Sequence, residues 1–120
     1  MYTKADILRE LYQFTRAISY FEKVMEIDNS DYEVQFKLFE IYMITGQPEK
    51  AVYMGKILEN HGLYSVYDNE IKIYFTECMI EQFAILGRKD PAEEHLKKLR
   101  TLQNVDNEVL NFYCVLVENM

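Results

Sequence analysis

The sequence predicts an all-α fold of about six antiparallel helices. Three observations carry that prediction. Apolar residues recur at helical steps of three and four over most of the chain. The 120 residues include only four Gly and two Pro. Those few breakers fall between the apolar stretches, where helices stop and restart.

The first helix is read from Ala5 to Ile27. Its apolar positions Ile7, Leu11, Phe14, Ile18, Phe21 and Met25 follow steps of four, three, four, three and four, with no Gly or Pro among them. Ser30 with Glu33 three residues on has the form of a capping box, which satisfies orphan amides at the start of a second helix. That helix runs to Ile44 or Thr45, where Gly46 supplies the left-handed residue that closes a helix. Pro48 suits the first turn of the third helix, where its missing N–H costs nothing. The stretch "ENHGLYSVYD" reads as irregular, with Gly62 as a stop and Asp68 or Asn69 opening a fourth helix that reaches Leu86. Gly87 repeats the part of Gly46, and "DPAE" repeats the restart, with Asp90 as N-cap, Pro91 first in the helix and Glu93 completing a box. This fifth helix ends near Leu102. After "QNVD" a sixth fills most of Asp106 to Asn119, apolar from Val109 to Val117 except at Asn111. A single domain over 1–120 is expected, made of a long helix (1–29), two hairpins (30–62 and 66–103) and an apolar terminal helix (105–119).

A chain of this length buries about two-thirds of the surface it exposes when unfolded, so it needs no disulfide or metal staple. Its formal charge of −7 opposes a nucleic-acid ligand, because phosphate contacts need clustered Lys and Arg. Arg88, Lys89, Lys97, Lys98 and Arg100 do gather around the fifth helix, but Asp90, Glu93 and Glu94 are interleaved with them and pair their charge. Cys78 and Cys114 lie in apolar helical phrases without CxxC spacing, and read as buried reduced thiols. The charged opening "MYTKADILRE" lacks the apolar centre of a signal peptide, and no apolar run is long enough to span a membrane. Cytoplasmic location is the expectation.

Superposing helix starts exposes a repeat. Ala17-Ile18-Ser19-Tyr20 and Ala51-Val52-Tyr53-Met54 begin 34 residues apart, and Ala92-Glu93-Glu94-His95 begins 41 residues after the second. A period of 34 with helix, Gly turn and helix resembles the tetratricopeptide repeat. Leu38, Tyr42, Gly46, Ala51 and Leu58 match its pattern, as do Met79, Phe83, Gly87, Ala92, Leu96 and Leu99 more loosely. The first copy matches in its second helix, through Ala17, Phe21, Val24 and Ile27. Departures are Gln35 and Thr76 where the family places a large aromatic, Phe39 and Ile80 where it places a small residue, and Gly55 in place of an aromatic, with Met54 as gap-filler. The large residues are expected to push paired helices apart or tilt them.

The resemblance implies hairpins stacked in a short right-handed superhelix whose first helices line a groove for a peptide or helix. Carried over residue by residue, the groove positions are Glu33, Phe36, Glu40 and Met43, then Tyr74, Glu77, Glu81 and Ala84. Acidic and apolar residues alternate among them, which suits a basic, amphipathic protein segment and repels an acidic tail. The competing reading is that Phe36, Met43 and Tyr74 are simply core under the first helix. The terminal helix lacks the polar outer face of a capping helix. It either packs on its own chain or, as preferred, joins a second subunit, with Val109, Phe112, Tyr113 and Leu116 as homodimer interface candidates.

No catalytic, cofactor or metal site is legible. His61 and His95 are isolated and read as surface residues. There is no HExxH, P-loop or Gly-x-Ser-x-Gly pattern. Glu77 and Glu81 stand one turn apart, a weak candidate for acid–base chemistry. The expected function is therefore a non-enzymatic interaction module, an adaptor or small chaperone. A structural subunit that oligomerises through terminal helices, and a module of a peptide-sensing regulator, are the alternatives.

Overall fold

A computed structural model describes the backbone of residues 4–120 and the side chains of residues 10–120. Ile7, expected in the first apolar stripe, is outside the described side chains. Seven helices and no strand are present among the described residues: α1 (Lys4–Ile27), α2 (Tyr32–Ile44), α3 (Pro48–Asn60), α4 (Leu63–Val66), α5 (Asn69–Ile85), α6 (Lys89–Thr101) and α7 (Asn107–Glu118). The all-α expectation holds, and the extra helix is the single turn α4 inside the stretch read as irregular. The chain divides into two compact units, Met1–Leu58 and Glu59–Met120.

In the first unit, α1 is one uninterrupted helix, as its unbroken periodicity predicts. It packs on α2, with Phe14, Ile18, Phe21, Val24 and Met25 half-buried on one side. The Tyr42 hydroxyl of α2 donates to Glu22 of α1 at 2.7 Å. Burial first, and then the Glu22 carboxylate, push that phenol well above its ordinary pKa.

Between these helices the cap differs from the expected one. Asp31 is the N-cap of α2, its carboxylate accepting from the Val34 amide at 3.2 Å. Ser30 instead donates through both its amide and its hydroxyl to Asp28, which holds the exposed Asp28 carboxyl below its usual range. Ser30 and Asp31 both have cap chemistry. The Asp28–Ser30 turn occupies the serine and leaves the next residue to cap.

The α2–α3 and α5–α6 reversals share one backbone solution. Gly46 and Gly87 both have φ +69°. The Gly46 amide donates to Met43 O and the Gln47 amide to Tyr42 O, while Gly87 donates to Ala84 O and Arg88 to Phe83 O. These are the paired bonds of a Schellman ending, which satisfies the last orphan carbonyls of a helix.

The restarts differ. Pro48 is the first residue of α3, as expected. The α6 helix begins at Lys89, with Arg88 as an N-cap whose side chain makes no capping hydrogen bond, so Asp90 is not the cap and Pro91 is third rather than first. Pro91 is still tolerated there, because the first four amides of a helix have no intrahelical acceptor.

In the second unit α5 and α6 form a hairpin, and α7 packs on both. Asp68 caps α5 by accepting from the Ile71 amide at 3.1 Å, and Asp106 caps α7. Asn69 ties the α6–α7 loop to the start of α5 by donating to Gln103 O at 2.6 Å. Phe75, Met79, Ile80, Phe83, Leu96, Leu99, Tyr113 and Val117 are buried.

Gln35 and Thr76, polar at the position where the family carries an aromatic, are both fully buried at 0% exposure. Each pins the segment that precedes its helix. Gln35 Nε2 donates to Asn29 O in the α1–α2 loop. Thr76 Oγ1 donates to Lys72 O at 2.7 Å and lies 2.8 Å from the Tyr64 hydroxyl of α4. With its one proton committed to Lys72 O, Thr76 accepts from Tyr64.

Candidate functional site

The residues expected to line a groove fall four in each unit. On α2, Glu33, Phe36, Glu40 and Met43 share a side because steps of three and four bring residues onto one helical face. Glu33 is exposed and pairs with Lys37 at 3.3 Å one turn on, a solvated contact of little energetic weight. Phe36, Glu40 and Met43 are half-buried, and the Phe36 ring stands edge-on to buried Phe39, with centroids 5.9 Å apart.

On α5, Tyr74 is 41% exposed, while Glu77, Glu81 and Ala84 are half-buried. Burial first, and then the charge of Glu81, raise the Glu77 carboxyl above its ordinary pKa. Both influences disfavour its ionised form, so a cation placed beside it would be favoured.

The helix α7 completes this side. Tyr113 is buried and donates its hydroxyl to Glu81 at 2.8 Å. Its phenol is pushed upward by burial and by the Glu81 carboxylate. Among the four residues expected at an oligomer interface, Tyr113 thus faces inward onto α5. Val109 and Leu116 are half-buried, and Phe112 is 60% exposed, beside Val115 at 54%. Glu108, Asn111, Phe112, Val115, Leu116 and Asn119 line an open hollow along the outer side of α7. That helix is therefore two-faced: Tyr113 and Val117 point to the core, Phe112 and Val115 to solvent.

One cluster has no counterpart in the sequence reading. His95, expected at the surface, is buried at 4% exposure. Its Nδ1 lies 2.9 Å from Pro91 O, and its Nε2 lies 3.0 and 3.2 Å from the two carboxylate oxygens of Glu59. Lys98 donates to the same carboxylate. Burial works to raise the Glu59 carboxyl, but the bonds and charges of His95 and Lys98 outweigh it and hold the group below its usual range. The Lys98 ammonium also sits 5.4 Å from the centre of the Tyr64 ring. The available signal was the register: Ala92, His95, Leu96 and Leu99 follow the steps of one buried helical stripe.

Both ring nitrogens of His95 are engaged, which leaves neither for a metal or a substrate. No group of three or more His, Cys, Asp or Glu is arranged to hold a metal ion among the described residues. Cys78 is a buried free thiol, as expected, whereas Cys114 is only half-buried and its sulfur accepts from Arg100 at 2.9 Å. No helix among the described residues is long and apolar enough to cross a membrane.

Compared with known proteins, residues 1–31 match a family model described as tetratricopeptide repeat. The described part of that segment is the continuous helix α1 and its exit turn, while left-handed glycine turns between consecutive helices occur at Gly46 and Gly87. No curated protein and no solved structure matches the chain. The family match and the twice-used helix–glycine–helix turn support a tetratricopeptide-like helical repeat family for this protein.

Proposed function

We propose that this chain is a non-enzymatic protein-interaction module, an adaptor or small chaperone that binds a basic, amphipathic segment of another protein. Tetratricopeptide repeats generally mediate protein–protein interaction. The observation that carries the finer reading is the α5 surface, where the exposed Tyr74 ring adjoins the Glu77–Glu81 pair and the Glu77 carboxyl is raised by burial and by its neighbour. A Lys or Arg entering there relieves carboxylate repulsion while the tyrosine ring gains apolar cover. The α2 face, with Glu33, Phe36, Glu40 and Met43, offers the same alternation of acid and apolar groups. The free thiols fit a cytoplasmic setting, where they stay reduced.

A second reading, a subunit that homodimerises through its terminal helix, is favoured by the exposed Phe112 and Val115 on α7.

Binding of a lysine-containing amphipathic peptide, followed by fluorescence anisotropy, tests the first reading. Glu77→Lys is expected to weaken it by at least about tenfold, the equivalent of roughly 1.4 kcal/mol. Acidification into the raised titration range of Glu77 is expected to weaken wild-type binding in the same direction, because the neutral acid no longer attracts the cation. Equal affinity for folded Glu77→Lys and wild type would count against the acidic surface. Sedimentation over a range of concentrations addresses the second reading: a dimer that Phe112→Glu converts to monomer supports it, and a monomer at all concentrations removes it.

A further inference from the structure

The Glu59–His95–Lys98 cluster imposes a protonation requirement that the proposed binding role does not use. Each element around the imidazole contributes a defined group. From the end of α3 comes the Glu59 carboxylate, at 3.0 and 3.2 Å from Nε2. On α6 itself, Pro91 O is 2.9 Å from Nδ1, and Lys98 donates to Glu59 from one turn further on. From α5 the buried Phe83 ring lies 5.4 Å away, centroid to centroid. From α4 Tyr64 lies beneath the Lys98 ammonium, its hydroxyl turned to Thr76.

A backbone carbonyl can only accept a hydrogen bond, and an ionised carboxylate can only accept. With Glu59 ionised, both ring nitrogens donate at once only in the imidazolium. A neutral ring carries a single N–H and must give up one partner, setting a nitrogen lone pair against an oxygen lone pair. His95 is buried, so water is not at hand to replace the lost bond, and an unsatisfied acceptor there is costly.

We propose that His95 is a proton-operated clasp that joins α6 to the C-terminal end of α3 when charged and opens one of its two bonds when neutral. Its working range follows from the signs. The carboxylate side, held below its usual titration range, supplies stability that is lost as pH falls through the Glu59 titration in the folded chain. The imidazolium side holds only while both ring nitrogens carry hydrogen, because Pro91 O and the Glu59 carboxylate can only accept. The clasp is closed while Glu59 is ionised and both ring nitrogens of His95 are protonated.

The test uses the whole chain carrying His61→Gln, which leaves one imidazole. Long-range proton–nitrogen spectra of His95 and the carboxyl carbon shift of Glu59 are followed from about pH 5 to about pH 10, a range that brackets free imidazole. The expected result is that both nitrogens carry hydrogen at the acid end, and that loss of one proton shifts the Glu59 carbon over the same interval. The midpoint of thermal unfolding falls over that interval too, and the fall is absent in His95→Gln. A ring with one bare nitrogen throughout overturns the proposal. So does a ring charged throughout, or one that titrates while Glu59 stays unmoved. If His95→Gln does not fold, the spectra of the single-imidazole chain decide the matter alone.

Discussion

The two glycine turns are alike in backbone and unlike in what they carry. Counting 41 residues on from Tyr42, Gly46 and Ala51 gives Phe83, Gly87 and Ala92, and the same pair of amide–carbonyl bonds closes both helices. Yet Tyr42 sends its hydroxyl to Glu22 of α1 and lies beneath the Lys50 ammonium, whereas Phe83 is wholly buried against the His95 ring. The repeated position sets where a ring is placed, and the neighbours decide whether it works as a polar tether or as core. Gln35 and Thr76 teach the complementary lesson: two different side chains at one repeat position do the same work, tying the preceding segment to the helix.

Mutations can break this comparison, beginning where the effect is largest. Phe83→Ala is expected to destabilise by about 3–5 kcal/mol through the cavity it leaves. Tyr42→Phe keeps the ring, loses one hydrogen bond, and should cost about 1 kcal/mol. Denaturant unfolding of both variants checks this, and equal losses would mean that Tyr42 and Phe83 do not differ in role.

Next, Thr76→Val leaves the Tyr64 hydroxyl without its acceptor, and Gln35→Leu removes the bond to Asn29 O. Each is expected to cost about 1–3 kcal/mol. Hydrogen exchange sharpens the point: protection should fall in α4 for Thr76→Val and in the α1–α2 loop for Gln35→Leu, and a loss spread evenly over the chain would contradict the tethering role.

Effects well below that of Phe83→Ala belong to the turns themselves. A Cβ at Gly46 or Gly87 meets nothing within 4 Å, so Gly→Ala costs only the left-handed backbone strain, roughly 1–2 kcal/mol at each site. Thermal melts should show matching losses, and smaller ones for Gly→Asn. A large inequality would show that the turns are not equivalent.

Features that depend on a few neighbouring residues were legible in advance. The uninterrupted α1, the closing glycines and a helix start at Asp68 or Asn69, of which Asp68 is the cap, follow from steps of three and four and from breaker and cap chemistry. So does the sharing of one face by Tyr74, Glu77, Glu81 and Ala84. What misled was a choice between equivalent signals. Ser30 and Asp31 both cap helices, and the Asp28 turn selected between them. At α6 the left-handed Gly87 returned the chain to helix at Lys89, sooner than Asp90 and Pro91 suggested. His95 reads as polar among Glu93, Glu94, Lys97 and Lys98, and its burial depends on Glu59, 36 residues away. The bond from Tyr113 to Glu81 spans 32 residues and has no local trace.

By itself, then, the sequence determined the helices, the turns between them and the acidic character of the chain, because helix periodicity, capping and left-handed glycine act within about one turn. Only the tertiary structure decided which polar groups are buried, and with what partners. Gln35, Thr76, Glu59 and His95 are polar residues that burial would penalise, and each is stable inside because an acceptor or donor from elsewhere in its unit meets it there.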